Sequence, residues 1–576
     1  MKKNNLKRQN LLEFTFLVII ILLLNILSQY FFFRIDMTSD KRYTLNPTTK
    51  EILKNLDDIV YIKFYLDGEM PPGFKRLKDA VTEMLDEFKV IAGDNIEYEI
   101  IDPYAEEDPK KRREIMKQLY DMGLDPVNVY ERDKGGEKSQ KILFPGAIMY
   151  YKDKYIPINF LEQSLNKTPE ENLNNSVEDV EYKLVNSIHK LQQTEKKRIA
   201  FLTGHGELDA NYLADILQTL SQDYYVRRIK MNGQLKALEG YDAIVIAKPD
   251  SAFDKYDKYI IDQFIMNGGK SLWVVDGADV SLDSLAYQNY TYALDLISRI
   301  NLLDMLFKYG VRVNPNLVQD IQCAAIPINV ALANEPPRFE MFPWFYSPLL
   351  IPSPNHTISK NLNLVKGEFT STIDTVGHNK NLKKTILLTT SKYTRILNVP
   401  VQLSLATAST KPDLRMFAYS YVPVGVLLEG KFESAFKNRL TPESQKDMSE
   451  KLGFKTESKP TKMIVLSDGD LIKNQISKVR GKIVPFPLGY DKYTKQTYGN
   501  KEFFLNAINY LLDDIGLLDV RARNIKLRLL DKEFISKNRF YIQLINVVLP
   551  IVLLIIFGII YYISVKKKYT VKNLNK

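Results

Sequence analysis

The chain has 576 residues, enough for two or three domains with full-sized hydrophobic cores. Its formal net charge is +10, but nine of these charges lie in two basic tails, residues 1–10 and 564–576, so the remainder is nearly neutral and nucleic acid is not an expected partner. The single cysteine, Cys323, excludes an intrachain disulfide framework.

An uncharged apolar run lies near each end of the chain, at residues 14–33 and 541–563. At about 1.5 Å of rise per residue, each run is long enough to cross the roughly 30 Å hydrocarbon layer of a bilayer. We therefore predict transmembrane helices at residues 11–33 and 541–563. The first run is longer than the apolar part of a signal peptide, and no small-residue cleavage site follows it, which favours an uncleaved anchor.

The two basic tails contain no acidic residue, and the positive-inside rule therefore places both termini in the cytoplasm. The residues between the spans, 34–540, then form a large extracytoplasmic body. The tail lysines also favour contact with anionic membrane lipids. Asn25 and Asn546 lie within the spans, where the amide either contacts another membrane helix or bonds to its own helix backbone.

Residues 34–164 contain the element order β-α-β-α-β-β, which is that of a thioredoxin-like domain, followed by one further strand. The strands are predicted at residues 59–66, 96–101, 127–130, 142–151 and 155–160, and the helices at residues 74–90 and 109–120. No Cys-x-x-Cys follows the first strand, so thiol redox chemistry is excluded. Residues 165–195 are predicted to be a linker and a helix, with a polar surface linker at residues 165–176 and the helix at residues 177–192.

Residues 196–520 show strands that alternate with helices, which predicts a mainly parallel sheet covered on both faces. The strands are predicted at residues 198–203, 241–247, 271–275 and 463–466, and the helices at residues 212–220, 256–266 and 503–512. The less regular residues 280–460 are either an insertion or an added β layer. Residues 521–540 form a basic juxtamembrane connector to the second span.

Polar residues at the ends of the predicted parallel strands form the candidate ligand site, because open parallel sheets bind ligands at the carboxyl ends of their strands. They are Gly204, His205, Gly206, Glu207, Asp276, Asp468 and Asp470. The alternative is that these residues cap the helices that follow. No complete calcium loop and no histidine pair at zinc spacing occurs, so neither a metal nor a cofactor is predicted.

Enzymatic activity is not predicted. No G-x-S-x-G or G-x-C-x-G motif for a nucleophile occurs in the chain. The fragment at residues 268–271 is similar to the end of a Walker A loop, but Phe264 stands where that loop requires glycine, and the fragment runs from a helix into a strand.

Sequence motifs spread over nearly the full length carry a resemblance to a known family. They are R-I-D-M-T-S-D-K-R-Y-T-L at residues 34–45, G-F-K-R-L at 73–77, F-L-T-G-H-G-E at 201–207, N-K-E-F-F-L-N at 500–506 and I-K-L-R-L-L at 525–530. With these motifs the chain resembles the gliding-associated ABC-transporter auxiliary proteins of Bacteroidetes, the GldG-type family. The resemblance implies a flavodoxin-like, class I glutamine-amidotransferase-like central domain whose catalytic cysteine has no counterpart at Asp276 and Gly277.

The resemblance also implies a partner ABC permease and, through it, a cytoplasmic ABC ATPase, associated with gliding motility and type IX secretion. Two functions remain open: a non-catalytic auxiliary, substrate-binding subunit of such a transporter, or a periplasmic scaffold that binds cell-envelope or motility proteins. Candidate contacts with partners or membrane are Asn25, Arg34, Asp36, Arg42, Tyr43 and Asn546.

Overall fold

The computed structural model describes residues 12, 14–23, 44–132, 138–161, 168–193, 195–288, 290–331, 335–377, 379, 381–437, 439, 453–517, 520 and 532–570. The chain forms two compact units, Met1–Arg523 and Asn524–Lys576. The first unit begins with a short apolar helix, α1 (Phe14–Leu23). The rest of the first predicted span lies outside the described residues.

A small α/β domain follows. Its elements are α2 (Pro47–Lys54), β1 (Val60–Phe64), α3 (Pro72–Ala92), β2 (Ile96–Ile100), α4 (Pro109–Asp121), β3 (Val127–Arg132), β4 (Lys138–Leu143), β5 (Gly146–Tyr151) and β6 (Lys154–Asn159). Four strands form a sheet in the order β2-β1-β5-β6, in which only β1 and β2 are parallel, while β3 and β4 pair as a separate hairpin. The single strand predicted at residues 142–151 is two strands, because Pro145 has no backbone N–H with which to continue a ladder.

Helix α3 provides much of the core of this domain. Its apolar residues recur every three or four positions, which places them on one face of the helix. Four of these side chains are fully buried and belong to the same cluster as the inward side chains of β1, namely Leu77, Val81, Leu85 and Phe88. Burial of each such side chain contributes about 1.5–3 kcal/mol, so this face accounts for the position of the helix.

The structure differs from the predicted surface linker at residues 165–176. Two helices, α5 (Pro169–Glu178) and α6 (Val180–Gln192), occupy this part of the chain. Helix α5 begins with a capping box, in which the Thr168 side chain accepts from the backbone N–H of Glu171 and the Glu171 side chain accepts from the N–H of Thr168. These bonds satisfy amide groups that the first turn of a helix leaves free, and a polar segment therefore becomes helical.

A larger α/β domain follows α6. Its elements are β7 (Arg198–Thr203), α7 (Ala214–Asp223), β8 (Tyr225–Lys230), β9 (Ala243–Ala247), α8 (Lys255–Met266), β10 (Lys270–Val274), β11 (Ala278–Asp279), α9 (Leu282–Gln288), β12 (Tyr290–Asp295), α10 (Leu303–Tyr309), β13 (Val311–Val313), β14 (Asn316–Asp320), β15 (Cys323–Asn329), β16 (Phe339–Pro352), β17 (Val365–Lys366), β18 (Ile373–Thr375), β19 (Leu382–Thr389), β20 (Thr394–Asn398), β21 (Val401–Ser404), β22 (Pro423–Gly430), β23 (Thr461–Leu466), β24 (Ile476–Val479), β25 (Lys482–Pro485), β26 (Tyr490–Asp491), β27 (Gln496–Thr497) and α11 (Asn500–Leu512).

The central sheet has the order β15-β16-β19-β22-β23-β10-β9-β7-β8. The five strands from β23 to β8 are mutually parallel, and numbered along the chain they lie in the spatial order 2-1-3-4-5. Both faces of this parallel part are covered: Ile244 and Ile246 of β9 belong to one hydrophobic cluster, and Val245 belongs to another. Every residue of β9 is buried, as expected for the middle of a covered parallel sheet.

Residues 280–460 extend this sheet and add a satellite core. Strands β22, β19 and β16 continue the sheet beyond β23 in antiparallel pairing. The satellite core is built around Trp344, Tyr346 and Phe369, whose rings lie 5.1–6.4 Å apart between centroids. The region that looks irregular in sequence therefore consists of short strands and the loops that connect them.

The second unit contains helix α12 (Lys532–Thr570), with a break in helical geometry at Asn538 and a proline, Pro550, within it. Among the described residues, its segment Lys537–Lys567 is the one helix long and apolar enough to cross a membrane, with a mean hydropathy of 2.8.

Candidate functional site

Three of the predicted carboxylates meet at the carboxyl edge of the parallel sheet. Asp276 follows β10, and Asp468 and Asp470 follow β23. One oxygen from each lies within 4.8 Å of the other two. Because β10 and β23 are neighbours in register, the residues just beyond their ends are brought together although they are far apart in sequence.

A lysine supplies the cation for this cluster. Lys248 follows β9, the next strand of the sheet, and its Nζ lies 3.1 Å from Oδ2 of Asp276 and contacts a carboxylate oxygen of Asp470. Burial disfavours the ammonium, but the two carboxylates outweigh this effect and raise the pKa of Lys248 above its ordinary value. Lys248 thus supplies a counter-ion to two of the three carboxylates, Asp276 and Asp470.

Asp468 ties the sheet to the loop after β17. Its side chain is fully buried, and it accepts hydrogen bonds from the backbone N–H of Glu368, at 2.8 Å, and from the hydroxyl of Thr370. Its second oxygen accepts from the backbone N–H of Asp470 at 2.9 Å. Burial, together with the nearby Asp276 and Asp470 carboxylates, raises the pKa of Asp468. Both carboxylate oxygens of Asp468 therefore accept hydrogen bonds from the protein itself.

A cleft of about 230 Å³ opens beside this cluster. Lys248 and Asp470 reach its wall from the sheet, and Glu368 and Lys473 border it from the adjoining loops. Burial opposes ionisation of Asp470, but the ammonium groups of Lys248 and of Lys473, whose Nζ is 3.2 Å from Oδ1, hold its pKa below the ordinary value. Burial, and then the charge of Asp470, raises the pKa of Glu368. The cleft thus presents paired charges of both signs.

His205 and Glu207 form a second, separate network. His205 lies between two carboxylates, with Nδ1 3.2 Å from Oε1 of Glu207 and Nε2 3.1 Å from Oδ2 of Asp257 in helix α8. Its ring stacks on Phe253 at 3.7 Å between centroids. Burial opposes protonation, but the two carboxylates raise the pKa of His205 above its ordinary value. Both ring nitrogens are used within the protein.

Gly204 and Gly206 serve the backbone at this turn. Both have positive φ angles, +125° and +74°. A Cβ on Gly206 would lie 1.7 Å from a carboxylate oxygen of Asp250, and a Cβ on Gly204 would lie 2.7 Å from a carbonyl oxygen. The carbonyl of His205 accepts from the backbone N–H groups of Asp250 and Ser251, both at 3.0 Å. The turn after β7 therefore packs directly against the segment that follows β9.

The structure thus divides the predicted ligand residues. It brings Asp276, Asp468 and Asp470 into one cluster, while residues 204–207 form the separate turn network. Asn546 is an exposed residue of helix α12. The other predicted partner and membrane contacts lie outside the described residues, namely Asn25, Arg34, Asp36, Arg42 and Tyr43.

Sequence reasoning missed four charged side chains of these networks. Lys248 directly follows a predicted parallel strand, so the rule that selected the aspartates also applies to it. Lys473 lies three residues after Asp470 but carries no motif. Glu368 and Asp257 reach their networks only through the tertiary fold, since they lie in the irregular region and within helix α8.

The single cysteine lies away from these networks at the start of β15. Burial, with the nearby Asp320 carboxylate, raises the pKa of the Cys323 thiol to about 12. The thiolate is the nucleophilic form, so Cys323 is a poor nucleophile at neutral pH.

Comparison with known sequences identifies a family for this chain. The chain belongs to the family described as an ABC-type uncharacterized transport system, whose sequence model matches residues 196–507. This membership associates the chain with ABC transport. Residues 39–150 match a domain of unknown function.

An uncharacterized protein of Borreliella burgdorferi is 22% identical to the chain over 452 residues, which cover 76% of this chain and 81% of that protein. Among solved structures, the mmIFT52 N-terminal domain has 14% identity and a TM-score of 0.31, with 55% of this chain and 99% of that domain covered. A structure of PurLQS from Thermotoga maritima has 10% identity and a TM-score of 0.23, with 55% and 100% covered. Both TM-scores are too low to define the fold.

Proposed function

We propose that this protein is a non-catalytic auxiliary subunit of an ABC transporter complex that binds the permease and, through it, the cytoplasmic ABC ATPase. The observation that carries the proposal is membership of the ABC-type transport family over residues 196–507. The resemblance to GldG-type proteins supports gliding motility and type IX secretion as the processes that the complex serves.

The non-catalytic part of the proposal draws on two features of the site. The ammonium of Lys248 forms ion pairs with Asp276 and Asp470, which leaves these two carboxylates paired rather than free to activate a substrate. The one cysteine is held as a thiol by its raised pKa. The ligand site that we propose is the cleft, with Asp470, Lys248, Glu368 and Lys473 as its charged residues.

The fold proposal assigns a thioredoxin-like domain to residues 34–164 and a flavodoxin-like, amidotransferase-like domain to residues 196–520. The order β2-β1-β5-β6, with one parallel pair, supports the first assignment. The order 2-1-3-4-5 of the five parallel strands supports the second, because flavodoxin-like sheets have this order.

The membrane part of the proposal is an inner-membrane protein with spans at residues 11–33 and 541–563, both termini in the cytoplasm and the bulk of the chain in the periplasm. The length and hydropathy of the segment Lys537–Lys567 support the second span. The basic tails support the orientation.

A periplasmic scaffold that binds envelope or motility proteins is the second candidate. The observation that favours it is strand β12, where Tyr290, Tyr292 and Leu294 point to one face and are 47%, 55% and 49% exposed. Exposed aromatic residues in a row are typical of surfaces that bind other proteins.

The two candidates differ in what holds the partners. A tagged full-length chain is purified in mild detergent from its native membranes, beside a variant in which residues 541–563 are replaced by an unrelated apolar helix of equal length. We expect the permease and the ATPase to purify with the native chain and to be lost from the variant. Glu368→Gln is the matched control, since it changes the cleft and leaves the span intact.

Retention of the permease by the span variant would contradict assembly through the membrane and favour the scaffold. Absence of any ABC permease from the native preparation would contradict the transporter role itself.

A further inference from the structure

Strands β24 and β25 form a two-stranded hairpin, residues 476–485, which we name the basic hairpin. Its register pairs Ile476 with Pro485 and Val479 with Lys482. Within the described part of the chain it pairs with no other strand. Arg480 and Gly481 at its tip both have positive φ angles, 50° and 78°, which suit a tight two-residue turn.

The basic hairpin exposes apolar side chains on both of its faces. Val479, Ile483 and Val484 are 53%, 41% and 45% exposed. Val484 lies opposite Ser477 on one face, and Ile483 lies opposite Lys478 on the other, because directly paired residues share a face and neighbours along a strand alternate. A two-stranded hairpin on its own is marginally stable in water. Exposed branched side chains on both of its faces therefore indicate that the basic hairpin lies against an apolar environment outside this chain.

The charge of the basic hairpin has one sign. Lys478, Arg480 and Lys482 are exposed, and no Asp or Glu occurs from residue 471 to residue 490. Among the described residues, none of the three forms an ion pair. The complementary surface is therefore anionic and at least partly apolar.

We propose that the basic hairpin docks on the anionic surface of a lipid bilayer. The three cations contact lipid phosphates, and Val479, Ile483 and Val484 enter the interfacial layer. A lipid interface surrounds both faces of a ribbon, whereas a protein surface covers one. The outer edges of β24 and β25 carry unpaired backbone groups, so docking stops at the hydrated headgroup level and does not reach the hydrocarbon. Three cations bind a bilayer firmly only when its effective concentration is high. Helix α12 belongs to the same chain and is long and apolar enough to cross a membrane, so it tethers the basic hairpin to a bilayer.

Fluorescence of the full-length chain in vesicles tests this proposal. In a Cys323→Ser background, Val484→Cys is labelled with an environment-sensitive fluorophore, and the protein is reconstituted into phosphatidylcholine vesicles with or without phosphatidylglycerol. Lipids that carry a shallow spin-label quencher report contact. We expect a blue shift and strong quenching in the anionic vesicles, weaker effects in the neutral vesicles, and their loss at high salt.

Two controls define the outcome. The same label at Lys236→Cys, whose native side chain is 73% exposed, reports a site outside the basic hairpin and remains unquenched. Lys478→Glu, Arg480→Glu and Lys482→Glu are combined in the labelled protein. Each native cation strengthens binding to an anionic surface by about fivefold. We therefore expect the charge reversal to lower quenching at position 484 to the value measured at position 236. Because all three side chains are exposed, the melting temperature stays unchanged.

The proposal is overturned if position 484 behaves like the control in anionic vesicles, or if charge reversal leaves the quenching intact. It is equally overturned if a change at position 484 requires addition of the permease, since the basic hairpin would then dock on a protein.

Discussion

Lys248 is the residue whose replacement tests the site most sharply. Its side chain is 20% exposed, while its partners Asp276 and Asp470 are 6% and 9% exposed, so Lys248→Met removes the shared counter-ion of two buried carboxylates. Loss of one partner from a buried ion pair costs about 3–5 kcal/mol. For a domain of about 325 residues, whose unfolding entropy is about 0.7 kcal/mol per kelvin, that cost lowers the melting temperature by roughly 4–7 °C.

The loss depends on pH. Burial already raises the pKa of Asp276 in the folded native chain, where the Lys248 ammonium opposes the rise, so loss of the ammonium raises this pKa further and the folded variant binds more protons at Asp276 than the unfolded chain. Its stability is then retained below the unfolded pKa and falls as pH rises through the folded pKa. We expect the loss of stability in Lys248→Met, relative to the native chain, to be small near pH 5 and to grow toward pH 8.

Intrinsic fluorescence of the detergent-solubilised chain measures this effect, because both tryptophans, Trp273 and Trp344, are buried in the larger α/β domain. Lys308→Met is the matched control: its ion pair with Glu433 is 38% and 43% exposed, so the expected change is under about 1 kcal/mol. A melting temperature of Lys248→Met within 2–3 °C of the native value, or a deficit that ignores pH, would refute the role of Lys248 as counter-ion.

Gly206→Ala places a side chain at a φ of +74° and displaces the exposed Asp250 carboxylate, and we expect a loss of roughly 1–2 kcal/mol in thermal unfolding; an unchanged free energy of unfolding would contradict the left-handed conformation of this turn. Cys323, with a pKa of about 12, should react with iodoacetamide at pH 7.5 at least about a hundredfold more slowly than free cysteine, and rapid alkylation would show a different environment. The pKa of His205 is raised in the folded state, so the stabilisation that its protonated ring provides is present below the ordinary pKa of histidine and is lost as pH rises through the folded-state pKa. The difference in melting temperature between the native chain and His205→Gln should therefore narrow with rising pH. A constant difference would contradict the protonated histidine.

The central parallel strands could be predicted because they are continuous apolar runs, and glycine or aspartate follows β7, β10 and β23 within two residues. The predicted strand at residues 198–203 coincides with β7, and the predicted helix at residues 256–266 differs from α8 by one residue. Helix α5 could not be recognised from its polar composition, because its start depends on the capping box at Thr168 and its core contacts rest on two partly buried side chains, Leu173 and Val177.

Of the charged residues at the site, only the three aspartates of the cluster could be predicted from the sequence. Strand ends gave Asp276, Asp468 and Asp470, whereas the partners that decide their roles come from elsewhere in the fold. The loop after β17 supplies the groups that fix Asp468, and it lies in a region whose strands are too short to show a period in sequence. Residues 204–207 lie at the same edge of the sheet as the aspartates, and the sequence therefore predicts them in the same site. The side chain of His205 instead bonds to Glu207 within its own turn and to Asp257 of helix α8.

Site-specific crosslinking from Asn546 tests the transporter role most directly. Asn546 is exposed on helix α12, within the proposed second span. A photo-crosslinking residue at this position in native membranes should give a covalent adduct with a multi-span ABC permease. Crosslinks exclusively to lipid, or to a membrane protein that is not part of an ABC transporter, would contradict the proposed function.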